Sequence, residues 1–292
     1  MNSTKKSPRK NELNEVYQMK KKYLPALILM AMVISLSSVS CRKQSINLEN
    51  LPPETATSDE ALFRLGEEYI KKDMEKGILF LRQVIDSFPK SFYAQRAKLL
   101  IADNYFKKGD EANLILAAAE YREFIVLYPT SPSVPYCQYQ IAMTYYKKAL
   151  KPGRDQTKTI QALSEFQKVV ANYPNSEQAK QAEEKIKDCE QRLAAHELHV
   201  GQFYYKTRSY RAAFGRLQEI LTKYPEFKRM DAVYFYLADC YFKSKKYDES
   251  LPYFTKLVTD YPKSKFAKQA QKRLKLIEQL KKTEKSKTGG NK

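Results

Sequence analysis

The 292-residue sequence has no tryptophan, two histidines, eight glycines and four cysteines, and each shortage removes a class of function. The histidines, His196 and His199, stand in HELH three residues apart on one helical face. A zinc protease needs HExxH, so they read as solvated or groove-lining residues, and no metal is expected. With two of the eight glycines at Gly289 and Gly290, no phosphate-cradling loop is available, and no serine nucleophile motif is present. Cys137, Cys189 and Cys240 lie far apart on apparent helices with no CxxC spacing. They read as small buried apolar residues in preference to a disulfide, and their odd number leaves at least one thiol free. The expectation is a protein without catalysis and without cofactors.

What the chain does contain begins with an address. Lys20, Lys21 and Lys22 precede an apolar run, Leu24 to Leu36, broken by Pro25 and Ser35, and small residues lead to Cys41. Residues 1–40 therefore read as an export signal, with Met19 an alternative start. The stretch SLSSVSC resembles a lipoprotein box, although Ser38 stands where that box prefers leucine. The resemblance implies that Cys41 receives a diacylglyceryl group and becomes the first residue; the alternative is an uncleaved anchor, for which the apolar length barely suffices. Arg42 follows the cysteine. By resemblance to enteric sorting, where aspartate there retains a lipoprotein at the inner membrane, this favours the outer membrane. Residues 41–57, with Pro52 and Pro53, read as a tether that would hold a folded part roughly 20 to 25 Å from the bilayer.

The folded part repeats itself. FPKSFYAQRA at Phe88, YPNSEQAKQA at Tyr173 and YPKSKFAKQA at Tyr261 are variants of one phrase, and further Tyr-Pro pairs occur at Tyr128 and Tyr224. Twelve residues before each proline stands a small residue: Gly77, Ala117, Ala162, Ala213 or Ser250. Eight and five residues before stand large ones: Leu81 and Val84, Tyr121 and Phe124, Phe166 and Val169, Leu217 and Ile220, Phe254 and Leu257. These offsets share one helical face that ends where proline forbids continuation. Upstream, an apolar-small-x-x-Tyr pattern ends at Tyr69, Tyr105, Tyr145, Tyr204 and Tyr241, marking a second helix per unit. The pattern resembles the tetratricopeptide repeat (TPR), and predicts an all-α superhelical array of about five TPR-like hairpins that presents binding faces.

Variation in the spacing is informative. The two small residues of unit three are twenty apart against twelve in units four and five, so KKALKPGRDQTKT forms a loop bending at Pro152-Gly153. Pro174 precedes Gly201 by 27 residues where the other units have 13. The extra residues make almost four full turns, which lengthen a helix without rotating its buried face, and predict one helix from about Glu177 to Lys206. The organisation expected is repeats one to three over 58–175, the long helix with repeats four and five over 176–282, and a disordered basic tail over 283–292.

The segment ELHVGQFYYKTRSYRAAFGRLQEILTKYP, Glu197 to Pro225, is similar to the BamD family of outer-membrane lipoproteins, as are YPNSEQAKQA and FPKSFYAQRAKLLIADNYFKKGD. The resemblance covers roughly Thr57 to Gln271. It implies a lipid-anchored protein on the periplasmic face of the outer membrane, partnering a BamA-like barrel protein with POTRA domains and receiving unfolded outer-membrane β-barrel proteins. It further implies that Arg216 faces BamA, where a guanidinium can hold a carboxylate in two bonds, and that Tyr93, Arg96, Tyr105 and Phe106 line a groove for extended substrate. The other reading of the repeats and lipobox is a periplasmic TPR lipoprotein of pilus or secretin assembly or of envelope division.

Acidic residues are the last shortage. Lysine and arginine number 52 against 33 aspartate and glutamate, and residues 263–292 hold eleven of the former against Glu278 and Glu284. The 22 tyrosines mostly fall at packing offsets. In an exported chain the basic surface suits anionic lipid, lipopolysaccharide or an acidic protein, and no nucleic acid partner is expected.

Overall fold

The computed structural model describes residues 57–288, with side chains to residue 283; the export signal, Cys41 and the tether up to residue 56 lie outside the described residues. Described residues form eleven α-helices and no strand. Five hairpins follow in order: α1 (Asp59–Lys72) with α2 (Met74–Ser87), α3 (Phe92–Lys108) with α4 (Glu111–Leu127), α5 (Val134–Lys147) with α6 (Thr157–Asn172), α7 (Glu177–Lys206) with α8 (Tyr210–Lys223), and α9 (Met230–Lys243) with α10 (Tyr247–Asp260). A final helix, α11 (Ala267–Thr288), packs on α10. First helices of neighbouring units also touch, α1 with α3, α5 with α7 and α7 with α9, which puts them on the inner side of the array. The chain is an all-α array of TPR-like hairpins.

The repeated phrase is a joint with one geometry. Phe88, Tyr128, Tyr173, Tyr224 and Tyr261 each cap a helix with φ between −129° and −135° and ψ between 52° and 60°. Each cap's backbone N–H still reaches the carbonyl four residues back. The proline that follows excludes the helical region for the residue before it, so all five helices stop in the same way. Two residues later a serine starts the next helix in three joints: the side chains of Ser91, Ser176 and Ser264 accept from the N–H groups of Tyr93, Ala179 and Phe266. Ser91 and Ser264 also donate their hydroxyl protons to Asp59 and Asp231, at the start of the preceding unit's first helix. The joint thereby sets the distance between units as well as ending a helix.

All ten large residues singled out by the twelve-eight-five spacing are 0% exposed. The small residues are there because helices meet at backbone distance: a Cβ on Gly77 would lie 2.4 Å from the backbone of Ile70. The loop of unit three occupies residues 148–156. Buried Gln156 holds it, donating to the carbonyls of Lys151 and Arg154 and accepting from Thr159 Oγ1.

Helix α7 has the span that the spacing predicts, and it belongs to two cores. Ala182 and Cys189 pack with Phe166 and Val169 of unit three, whereas Ala194 and Leu198 pack with Leu217 and Ile220 of unit four. The extra turns are the closing helix of one block fused to the opening helix of the next. At the other end, α11 continues through residues 283–288, which the sequence reading assigned to a disordered tail. Residues 289–292 lie outside the described part.

Candidate interaction surfaces

At the amino-terminal end, Ser91 fixes the start of α3 against α1 through Asp59. Tyr93 and Arg96, one turn apart on α3, therefore face Glu60, Phe63 and Arg64 of α1. The Arg96 guanidinium stands 4.6 Å above the Phe63 ring, and Phe63 and Tyr93 have centroids 5.4 Å apart. The Tyr93 hydroxyl lies near Glu60, which holds Arg64 at 2.7 Å. Phe92 joins at 5.8 Å from Tyr93 and is 68% exposed. An uncovered phenylalanine with Arg96 5.8 Å from its ring suits an apolar or aromatic side chain on a segment that carries carboxylates. Sequence reasoning missed Phe63 and Phe92; for Phe92 the signal was present, since it stands within the joint phrase FPKSFYAQRA and occupies no core offset.

The four residues expected to share a groove divide. Tyr105 and Phe106 lie twelve or more residues after Tyr93, about 18 Å further along α3. Tyr105 lies near Arg82 of α2, while Phe106 packs edge-on against Tyr121 at 6.5 Å and lies under Lys147 Nζ at 3.8 Å. Both are half-buried. Tyr93 and Arg96 form one cluster, and Tyr105 and Phe106 belong to the packing between units.

A charged network occupies the ground between. Lys98, 2% exposed, reaches Glu120 at 2.6 Å and Glu123 at 2.5 Å, and Arg82 reaches Glu120 at 2.6 Å. Nearby, Asp103 accepts from the hydroxyls of Tyr121 at 2.5 Å and Tyr136 at 2.7 Å. Burial, with Asp103 adding to it, pushes the Tyr121 phenol far up and the Tyr136 phenol up to about 12. These tyrosines are neutral donors that hold α3, α4 and α5 in register.

In the carboxyl-terminal half, Arg216 stands exposed on α8, its Nη1 3.3 Å from Oε2 of Glu197 on α7. The carboxylate orients the guanidinium and leaves much of its fork open. Between the turns of units four and five lies a cleft of about 460 Å³ lined by Tyr210, Arg211, Phe214, Tyr241, Ser244 and Lys246. Phe214 packs on Tyr241 at 4.9 Å, and Tyr241 stacks on Tyr253. Tyr241 carried a packing role in the sequence, and it remains partly accessible at this cleft.

The histidines are neither free nor paired with each other. His196 Nδ1 lies 2.6 Å from the carbonyl of Pro152, and the His199 ring lies against Gly153, so both brace the loop of unit three against α7. Among the described residues no group of three or more His, Cys, Asp or Glu could hold a metal ion. Cys137, Cys189 and Cys240 are buried free thiols, and burial pushes each up to about 12. No described helix is long and apolar enough to cross a membrane.

Comparison with known proteins places this geometry. Residues 55–244 match the model of the family described as outer membrane lipoprotein, YfiO, and residues 232–264 match a tetratricopeptide repeat model. The chain is 27% identical over 220 residues to the outer membrane protein assembly factor BamD of Caulobacter vibrioides, covering 74% of this chain and 69% of that one. It is 25% identical over 216 residues to BamD of Rickettsia prowazekii, covering 73% and 81%. Among solved structures, a TPR protein of Thermus thermophilus aligns over 74% of this chain and 99% of its own, at 17% identity and a TM-score of 0.30, too low to carry any argument.

Proposed function

The chain belongs to the outer membrane lipoprotein family, and from that premise we propose that it is a non-catalytic scaffold of outer-membrane β-barrel assembly, anchored through Cys41 on the periplasmic face. The observation that carries this reading is the family match over 55–244, which runs from the Tyr93 cluster through the long helix to the Arg216 surface. Curated relatives that match over two thirds of their length bear the name of outer membrane protein assembly factors.

Two surfaces supply the two contacts of such a scaffold. Around Phe63, Phe92, Tyr93 and Arg96, an exposed ring and a cation held over another ring can take alternate side chains of an unfolded barrel strand. Around Arg216 and the cleft beside Arg211 and Phe214, a guanidinium held by Glu197 faces outward to meet a carboxylate on a POTRA domain of a BamA-like partner. Between the two surfaces in sequence, helix α7 passes from the core of unit three to that of unit four.

The test is co-purification of the detergent-solubilised protein with a POTRA-bearing barrel protein. Arg216→Glu places like charges together and is expected to weaken that recovery about tenfold or more, while Phe92→Ala with Arg96→Ala lowers crosslinking to unfolded barrel peptides and spares the recovery. If the native protein retains no POTRA-bearing partner, the proposal falls.

A further inference from the structure

Helix α11 closes the array, and its two faces differ in kind. The inner face is tied down: Ala270 and Ile277 are buried, Arg273 Nε lies 3.0 Å from the fully buried Asp239, and Lys281 pairs with Asp248. Among the described residues no helix packs on the outer face. At 3.6 residues per turn, Lys268, Lys272, Lys275 and Lys282 project within an arc of about 80°. Leu276, 39% exposed, stands at its edge.

A terminal helix needs a polar outer face, and a mixture of signs would provide it. Some exposed lysines elsewhere sit four residues from a carboxylate and pair with it, as Lys72 does with Glu68, Lys223 with Glu219 and Lys256 with Asp260. On α11 Lys282 alone of the outer stripe has such a partner, Glu278. Lys268, Lys272 and Lys275 have no ion-pair partner among the described residues, and like charges at three- and four-residue spacing destabilise a helix. The same sign continues into the last joint, where Lys228, Arg229, Lys263 and Lys265 line a cleft of about 730 Å³. Its carboxylates are engaged, Asp231 by Ser264 at 2.6 Å and Asp260 by Lys256 at 2.9 Å.

The stripe is built of ammonium groups on flexible stems, spread along a convex helix without an aromatic anchor. That chemistry suits dispersed phosphates on a planar surface better than a carboxylate on a folded partner, for which a guanidinium fork in a concave site is the better match. We propose that the outer face of α11 rests on the phosphate head groups of an anionic bilayer, a second membrane contact at the opposite end of the chain from Cys41. The inference stands on membership of a membrane lipoprotein family and does not require the assembly role.

The experiment places a fluorophore in the stripe by Gln279→Cys, with Cys41 occupied by its lipid and the three remaining thiols protected by burial. Energy transfer to a head-group-labelled acceptor lipid is read on phosphatidylcholine vesicles with and without phosphatidylglycerol. Transfer should rise with the anionic lipid and vanish at high salt. Lys268→Gln with Lys272→Gln and Lys275→Gln should lower the docked-to-undocked ratio about a hundredfold, at roughly one kcal/mol per lysine, with an unchanged thermal midpoint. Equal transfer on both vesicles, or transfer indifferent to the triple substitution, overturns the proposal. A response on neutral vesicles only when a POTRA-bearing protein is added overturns it in favour of an acidic protein partner.

Discussion

In the amino-terminal half the buried side chains gather in separate clusters, one around Tyr121 and Phe124 and another around Phe166 and Val169, whereas from Ala194 to Ile277 one continuous cluster runs through units four and five into α11. Polar groups fill the gaps of the first half: Lys98 between Glu120 and Glu123, and Asp103 beneath two tyrosine hydroxyls. In the second half buried Asp239 is served by Tyr205 and Arg273, and a continuous apolar core runs through the same helices. Stability in a linear array is a sum of unit and neighbour terms. A half whose neighbour terms are ionic and segmented opens in parts, and a half with a continuous apolar core opens as a block. The proposed substrate surface thus lies on the half more able to yield, and the proposed partner surface on the more rigid one.

The sharpest way to break this comparison is to remove Lys98. Lys98→Met leaves Glu120, itself 7% exposed, with Arg82 as its remaining charge partner, and should cost about 3 to 5 kcal/mol. Lys98→Met with Glu120→Leu should recover most of that, since a packed apolar pair replaces a buried ionic one at little cost. Urea denaturation followed by hydrogen exchange should show the loss in α2 to α4, with α9 to α11 still protected. If all helices lose protection together, the two halves are one cooperative unit and the comparison fails.

A smaller effect separates the halves at their closest helix contacts. Gly77→Ala drives a Cβ to 2.4 Å from the backbone of Ile70, and should destabilise by about 3 kcal/mol. Gly201→Ala meets Leu217 Cδ2 at 2.8 Å and Cγ at 2.9 Å, a side chain and not the backbone, and should cost less, about 1 to 2 kcal/mol. Gly215→Ala, with nothing within 4 Å, should gain up to about 1 kcal/mol from helix propensity. Thermal midpoints of the three variants order them.

These contacts also mark what can be read before a structure is known. Proline, the aromatic before it and the small residue twelve back act locally, so the joints, the core register and the span of α7 are legible from spacing alone. The pairing of Lys98 with Glu120 is not, because it joins residues 22 apart whose types are also ordinary on a solvated face. Asp103, half-buried, and Asp239, buried, each follow the small residue of the first helix, Ala102 and Ala238, and each accepts from a tyrosine hydroxyl, but Glu67 shares that offset without such a bond, so the offset alone does not mark them. Tyr93 and Arg96 come together because one helical turn relates them. Tyr105 and Phe106 do not join them, since distance along a helix, which a list of aromatic residues ignores, carries them to another neighbour.

The smallest expected effect lies in the turns, where the halves again differ. Unit two turns on Gly109 at φ 76°, while units four and five place Arg208 and Lys245 at φ 62° and 59°. A side chain in that left-handed region costs about 1 kcal/mol against glycine, and part of the gain on replacement is offset by the freer unfolded chain. Arg208→Gly and Lys245→Gly should therefore each stabilise the carboxyl-terminal block by about 0.5 to 1 kcal/mol, while Gly109→Ala loses a similar amount in the other half. Both residues border the turns beside the cleft of Tyr210, Arg211 and Lys246, and strain retained at such a place is characteristic of a surface kept for binding. The discriminating measurement is stability together with recovery of the POTRA-bearing partner. A variant that gains stability and keeps its partner shows the strain to be incidental, and one that gains stability and loses the partner assigns the strained turns to the interface.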